Sequence, residues 1–178
     1  QDYPTKGSLD CDIRTGSPAT AKYKAELLYI STDWVVANAS QIGSKTAKGT
    51  GENDFALLYI TDGISVGASL PYLPYKQTTP KVGERMLLAA YPAGFLSGES
   101  IATYLYPTSA FAYVLKAFTF DDPKNTDLIS IGGSVVSQSG ASGGAAVRAD
   151  GTLAGIISTA VLDGTTGERD LRAITIGH

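Results

Sequence analysis

Histidine is almost missing from this chain of 178 residues: it occurs once, as His178, the last residue. Any chemistry that needs an imidazole earlier in the chain must find it elsewhere. Cysteine is as scarce. Cys11 alone cannot close an internal disulfide, so it is a small buried apolar residue or half of a bridge to another segment, and it leaves the redox compartment open. Excess positive charge is also lacking. The net charge is −3 and no Lys/Arg cluster exceeds a pair, which argues against nucleic acid as a partner. No apolar run approaches the roughly 18 residues of a membrane-spanning helix; the strongest, Met86 to Tyr91 and Ala110 to Leu115, have strand length. Methionine occurs only at Met86, and a start at Gln1 is expected of a processed product or a fragment. No repeat of fixed period is present, and no grouping of residues points to a metal or a cofactor.

What is present reads as strands. Ala25–Ser31, Trp34–Ala39, Phe55–Thr61, Arg85–Tyr91, Ala102–Pro107, Ala110–Phe120, Leu128–Ile131, Ala145–Arg148 and Leu153–Ala160 are rich in Val, Ile, Tyr, Thr and Phe. Gly, Pro, Asn and Asp clusters separate them, the pattern of an antiparallel barrel or sandwich, so the expected class is all-β. Asp150-Gly151 supplies the positive backbone angles of a tight hairpin between the last two segments. Asp170–Ile176 fits either a short terminal helix or a closing strand. Pro71, Pro74 and Pro80 make Leu70–Val82 an extended connection. It divides the chain into a front part, residues 1–75, and a back part, residues 76–178.

Two features carry chemistry. Ser139-Gly140-Ala141-Ser142-Gly143-Gly144 sets a hydroxyl among glycines, a way to expose a nucleophile beside backbone N–H donors. Asp54 opens the apolar run Phe55-Ala56-Leu57-Leu58-Tyr59-Ile60, a hostile place for a carboxylate without a partner.

With these, the turn Lys81-Val82-Gly83-Glu84 leading to Ala90-Tyr91-Pro92-Ala93-Gly94, and Leu153-Ala154-Gly155-Ile156-Ile157-Ser158, the chain resembles the trypsin/chymotrypsin-like serine proteases, particularly the short bacterial forms. The resemblance implies two antiparallel barrels of six-stranded type, the front one incomplete here. It implies Ser142 as nucleophile, Asp54 as the acid that orients the base, and the N–H groups of Gly140 and Ser142 as the oxyanion hole. Val136 would lie at the base of the primary specificity pocket, with Ser158, Thr159 and Ala160 on the wall that pairs with substrate backbone. An apolar base offers no counter-charge for Lys or Arg. Ala141 stands where digestive enzymes carry an aspartate, so activation by burying Gln1 is not expected.

The family's histidine precedes its acid in a motif resembled by Trp34-Val35-Val36-Ala37-Asn38-Ala39-Ser40, which would put Ser40 at the histidine's place and make the chain a pseudoenzyme. Only 14 residues separate Ser40 from Asp54. Two further strands with their turns need about 25. The preferred alignment therefore puts Trp34 in a later strand or loop and the histidine outside this chain. The front barrel would then lack its opening strands, and a second polypeptide segment or a neighbouring subunit would cover its edges. An α/β-hydrolase order is the minor alternative, with Asp150, Asp163 or Asp170 followed by His178; its elbow must feed a helix. The expected substrate is a peptide or protein, at an extracellular or cell-surface location. The competing expectation is an inactive structural or binding module. Asn38-Ala39-Ser40 matches a glycosylation acceptor, and Tyr72, Tyr75, Tyr104, Tyr106 and Tyr113 are groove or half-buried strand residues.

Overall fold

The computed structural model describes residues 10–41, 50–120, 122–132, 135–162 and 169–177. Two antiparallel sheets make up the fold. The front sheet has three strands in the order β1 (Asp10–Thr15), β2 (Thr20–Ile30), β3 (Ala56–Asp62). The back sheet has seven, in the order β5-β4-β8-β9-β10-β7-β6: Thr108–Tyr113, Arg85–Ala90, Ala145–Arg148, Leu153–Leu162, Arg169–Thr175, Leu128–Ser130 and Lys116–Phe118.

The two edges of that back sheet, β5 and β6, are consecutive in the chain and separated only by Val114 and Leu115. So short a link draws the edges together, and a sheet curled until its ends meet is a barrel. Backbone bonds finish the seam: Val114 donates to the carbonyl of Glu84, the residue just before β4, and Leu115 donates to Ser130 on β7. With β5 and β6 counted as one broken strand, the barrel has six. Its interior is filled by Met86, Leu88, Val114, Ile129, Ile157 and Leu171, each essentially without solvent contact. Expected strand Ala110–Phe120 is thus two strands. The break exists because the chain changes partners there, from β4 to β7.

Two other expected strands are helices. Trp34–Ala39 falls in α1 (Thr32–Asn38) and a 3-10 turn (Ala39–Gln41). The Ser31 hydroxyl caps it by accepting from the Trp34 N–H, and Asp33 sits in the positive first turn. The preference for Trp34 in a strand or loop is corrected accordingly, and Ser40 lies on the exposed 3-10 turn. The first half of Ala102–Pro107 falls in α2 (Gly98–Tyr104) and the rest is the irregular link that follows it; the helix is capped by the Ser97 hydroxyl, which accepts from Ser100 N–H, with Glu99 in its first turn. In both places a serine at the start outweighs the β propensity of the residues that follow. Strand β1 was not foreseen; Asp10, Asp12 and Arg14 conceal its alternation, and Cys11 is half-buried on it opposite Ala25. Asp170–Ile176 resolves as strand β10, and the Asp150-Gly151 hairpin forms, with Gly151 at φ +82° donating to Arg148.

The front sheet is held to the back part chiefly through the β1–β2 turn. The Arg14 guanidinium donates to the Ile101 and Ala102 carbonyls of α2 and to Ala19, and the Ala19 N–H donates to Leu105 at 2.7 Å. Tyr91 adds a bond from its hydroxyl to the Gly16 carbonyl.

Candidate active site

The serine loop is positioned by the start of β8. Gly144 lies so close to β4 that a Cβ there would meet the Ala89 carbonyl and the Ala90 Cβ at 2.7 Å, which only a residue without a side chain allows. Gly144 exchanges its backbone groups with Ala141 and Ile157, and Gly143 donates to the Ile157 carbonyl at 2.7 Å. The serine between them is therefore strapped to β9 from behind while its own surface is exposed.

Gly140 adopts φ +89° with Ala93 N at 3.0 Å from where a Cβ would stand, so the loop turns sharply against the segment leaving β4. Ala93 N–H donates to the Ser139 carbonyl at 2.8 Å and Ala141 N–H to Gln138. Among the described residues, the N–H groups of Gly140 and Ser142 donate to no backbone carbonyl. Two donors left open beside one exposed hydroxyl are what an oxyanion needs.

Asp54 and Ser142 converge on a single residue. The Ser158 hydroxyl donates to Asp54 Oδ2 at 2.6 Å, and the Ser142 hydroxyl donates to the Ser158 carbonyl at 2.8 Å. Ser158 can do both because it occupies the irregular position on β9, where Arg172 pairs with Thr159 but Ala173 pairs with Ile157. Asp54 is presented from a turn in which it donates to Gly51, with Gly51 at φ +89° and Asn53 at φ +56°, and a Cβ at Gly51 would stand in ordinary van der Waals range of the Ser158 hydroxyl. The sequence assigned Ser158 to the substrate wall only; its hydroxyl bridge to Asp54 had no local signal, because 104 residues separate the two.

The remaining expected residues fall as follows. Val136 is fully buried in the core cluster of the back barrel. Thr159 and Ala160 lie on β9 opposite Arg172 and Leu171. His178 lies outside the described residues, as does Asp163. The α/β-hydrolase order is overturned, since the serine loop feeds the hairpin of β8 and β9 and no helix. Among the described residues no group of three potential metal ligands occurs, and no helix is long and apolar enough to cross a membrane.

A cavity of about 330 Å³ opens beside the serine loop, lined by Phe95, Leu96, Tyr104, Tyr106, Val135 and Gln138 among others. Of the five tyrosines considered as groove residues, Tyr104 and Tyr106 are there, while Tyr72, Tyr75 and Tyr113 are exposed elsewhere. Phe95 and Leu96 carried no sequence signal.

Comparison with known proteins agrees with the fold. The model of the family described as Trypsin matches residues 6–175. Comparison with curated proteins finds no match. Among solved structures, the chain is similar to Rv3671c from M. tuberculosis H37Rv, in the inactive form of a serine-to-alanine mutant, with 19% identity and a TM-score of 0.48 over 68% of this chain and 54% of that one. A Glu endopeptidase matches at 16% identity and TM-score 0.59 over 95% and 67%. Neuropsin, a serine protease expressed in the limbic system of mouse brain, matches at 16% identity and TM-score 0.55 over 98% and 76%. The chain spans about half the length of the first of these, and at such identities the latter two share its fold.

Proposed function

The chain belongs to the trypsin family, and from that premise we propose that it is a serine endopeptidase domain whose Ser142 is the nucleophile, with the catalytic imidazole supplied by a histidine outside this chain. The single observation that carries the reading is the convergence of Ser142 and Asp54 on Ser158, at 2.8 and 2.6 Å. Ser142 Oγ would attack the scissile carbonyl carbon and pass its proton to the imidazole, which then protonates the departing amine as the C–N bond breaks; water reverses the sequence on the acyl-enzyme. The N–H groups of Gly140 and Ser142 would hold the oxyanion, each donor being worth about 3 kcal/mol in the transition state. Asp54, from the front part at residues 1–75, would fix the tautomer of the incoming imidazole, while the back part at 76–178 supplies the nucleophile. Ser158, Thr159 and Ala160 would form the substrate wall, for peptide or protein chains, whereas Val136, expected at the base of the pocket, is wholly buried in the core of the back barrel and offers a substrate no surface. An extracellular or cell-surface location accords with the family, and a second polypeptide segment or neighbouring subunit would complete the front barrel along β3.

A second reading is supported by the scarcity of histidine: Ser40 occupies the resembling position of the base, and a hydroxyl cannot accept a proton near neutral pH. On it, the chain is an inactive structural or binding module, such as a subunit of an extracellular assembly. A fluorophosphonate probe separates the two. Labelling of the native assembly, lost in Ser142→Ala, is the expected result. No labelling, with intact-mass analysis finding this chain alone, favours the inactive module.

A further inference from the structure

We propose that the aromatic cavity beside the serine loop is a subsite for one bulky, uncharged side chain of the peptide, aromatic by preference, on the side that departs when the bond is cut. The inference rests on the reading of Ser142 as nucleophile.

Strand order sets the direction. In the back barrel β8 lies between β4 and β9, so the serine loop that leads into β8 has the Ser158 end of β9 on one flank and the exit of β4 on the other. On the proposed reading, a peptide laid along Ser158 to Ala160 and crossing Ser142 would continue over the segment that leaves β4. Pro92, Phe95 and Leu96 of that segment form one wall of the cavity. It is continuous with the oxyanion donors: a Cβ at Gly94 would meet Ser139 N at 3.2 Å and Gln138 Oε1 at 3.3 Å, and Gln138 is itself on the cavity wall two residues before Gly140.

The chemistry of the lining selects the occupant. Pro92, Phe95, Leu96, Tyr104, Tyr106 and Val135 dominate it, and no Asp, Glu, Lys, Arg or His is among its lining residues. Phe95 is 86% exposed and Val135 66%, so large apolar surfaces face water with nothing of the described residues packed over them. A charged side chain would lose hydration there without gaining a counter-charge. The volume of about 330 Å³ is at the small end for ligand cavities, which start at about 300 Å³, and suits one side chain. Rings of Phe95, Tyr104 and Tyr106 around one opening favour an aromatic guest, which gains edge or face contacts as well as burial.

The test uses fluorescent octapeptides in an alanine background that differ at one leaving-side position, Phe, Ala or Glu, with binding to the intact chain read by anisotropy. Phe is expected to bind about tenfold more tightly than Ala, and Glu more weakly than either. Phe95→Ala and Tyr104→Ala, both at exposed positions outside the core, should each shrink the Phe-to-Ala ratio to about threefold or less. A benzoyl-phenylalanine in place of Phe should cross-link to Phe95, Leu96, Tyr104 or Tyr106. Equal binding of Phe and Ala, a ratio that survives both substitutions, or cross-links elsewhere, including to a second copy, overturns the proposal. If the Phe preference holds but fluorophosphonate leaves Ser142 unlabelled, the subsite stands as a peptide site and the catalytic reading falls.

Discussion

The front and back halves are built from similar strand segments but solve the burial problem differently. In the back barrel, alternate residues of β4 point inward and vanish from solvent, Met86 and Leu88 being wholly buried. In the front sheet, Leu57, Leu58 and Tyr59 follow one another along β3 and all three are exposed, Tyr59 at 61%, so neither face of that strand is covered. Consecutive apolar residues point to opposite faces of a strand. A strand apolar on both sides needs cover on both, and three strands in one sheet cannot provide it. The lesson is that amphipathic alternation closes a barrel by itself, whereas an apolar run such as β3 waits for more chain. Edges differ in the same way: β1 carries Asp10, Asp12 and Arg14, charges that discourage pairing, while β3 offers an uncharged edge from Ala56 to Thr61.

That contrast can be broken most forcefully by matched truncations. Leu88→Ala should lower unfolding free energy by about 2–5 kcal/mol, because a cavity is left in a closed core, whereas Leu58→Ala should cost no more than about 0.5 kcal/mol in urea unfolding. Equal costs would mean that the two halves share one core. Removing the clasp comes next. Arg14→Ala deletes bonds to Ile101, Ala102 and Ala19, and a loss of about 1–3 kcal/mol is expected. Hydrogen exchange should quicken in β1 and β2 with β8 to β10 unchanged; uniform quickening would refute a local clasp.

Ser158→Ala should cost about 1 kcal/mol by removing the hydroxyl bonded to Asp54, and it should slow fluorophosphonate labelling if the native assembly labels at all. Unaltered labelling would show that Asp54 is positioned without it. Leu58→Lys should leave stability within about 0.5 kcal/mol and reduce concentration-dependent association through β3, read by sedimentation. The smallest effect belongs to Asp150, whose carboxyl is held below its ordinary value of 3.8 first by the bond from Lys76, then by the Thr152 hydroxyl and N–H. A depressed folded-state value means that the contribution is present above 3.8 and fades as pH falls below it. Both groups are on the surface, so acid titration of Lys76→Ala should depart only slightly from wild type, and less so at high salt.

The all-β class, the hairpin at Asp150-Gly151 and the strands around Ser142 were legible because each is a local pattern: alternation, a turn dipeptide, glycines about a serine. Helices α1 and α2 were not, since seven residues rich in Val, Ile, Ala and Tyr look strand-like unless the serine ahead of them is weighed as a cap. The division of Ala110–Phe120 depended on partners far away in sequence, Glu84 and Ser130. In the site, Ser142, Asp54 and Gly140 announce themselves by type and neighbours. Ser158's second role and the Phe95 wall arise only when distant segments meet, which no window along the chain contains.

Ser158 also has a mechanical meaning. Its hydroxyl leads to Asp54, in the turn just before β3, and its carbonyl to Ser142 on the back barrel's serine loop, so slippage of one half against the other must stretch at least one of two short bonds meeting at the same residue. The Ser142 hydroxyl is thereby a strain gauge for the alignment of the halves, and whatever comes to rest on β3 acquires a lever on it from a distance.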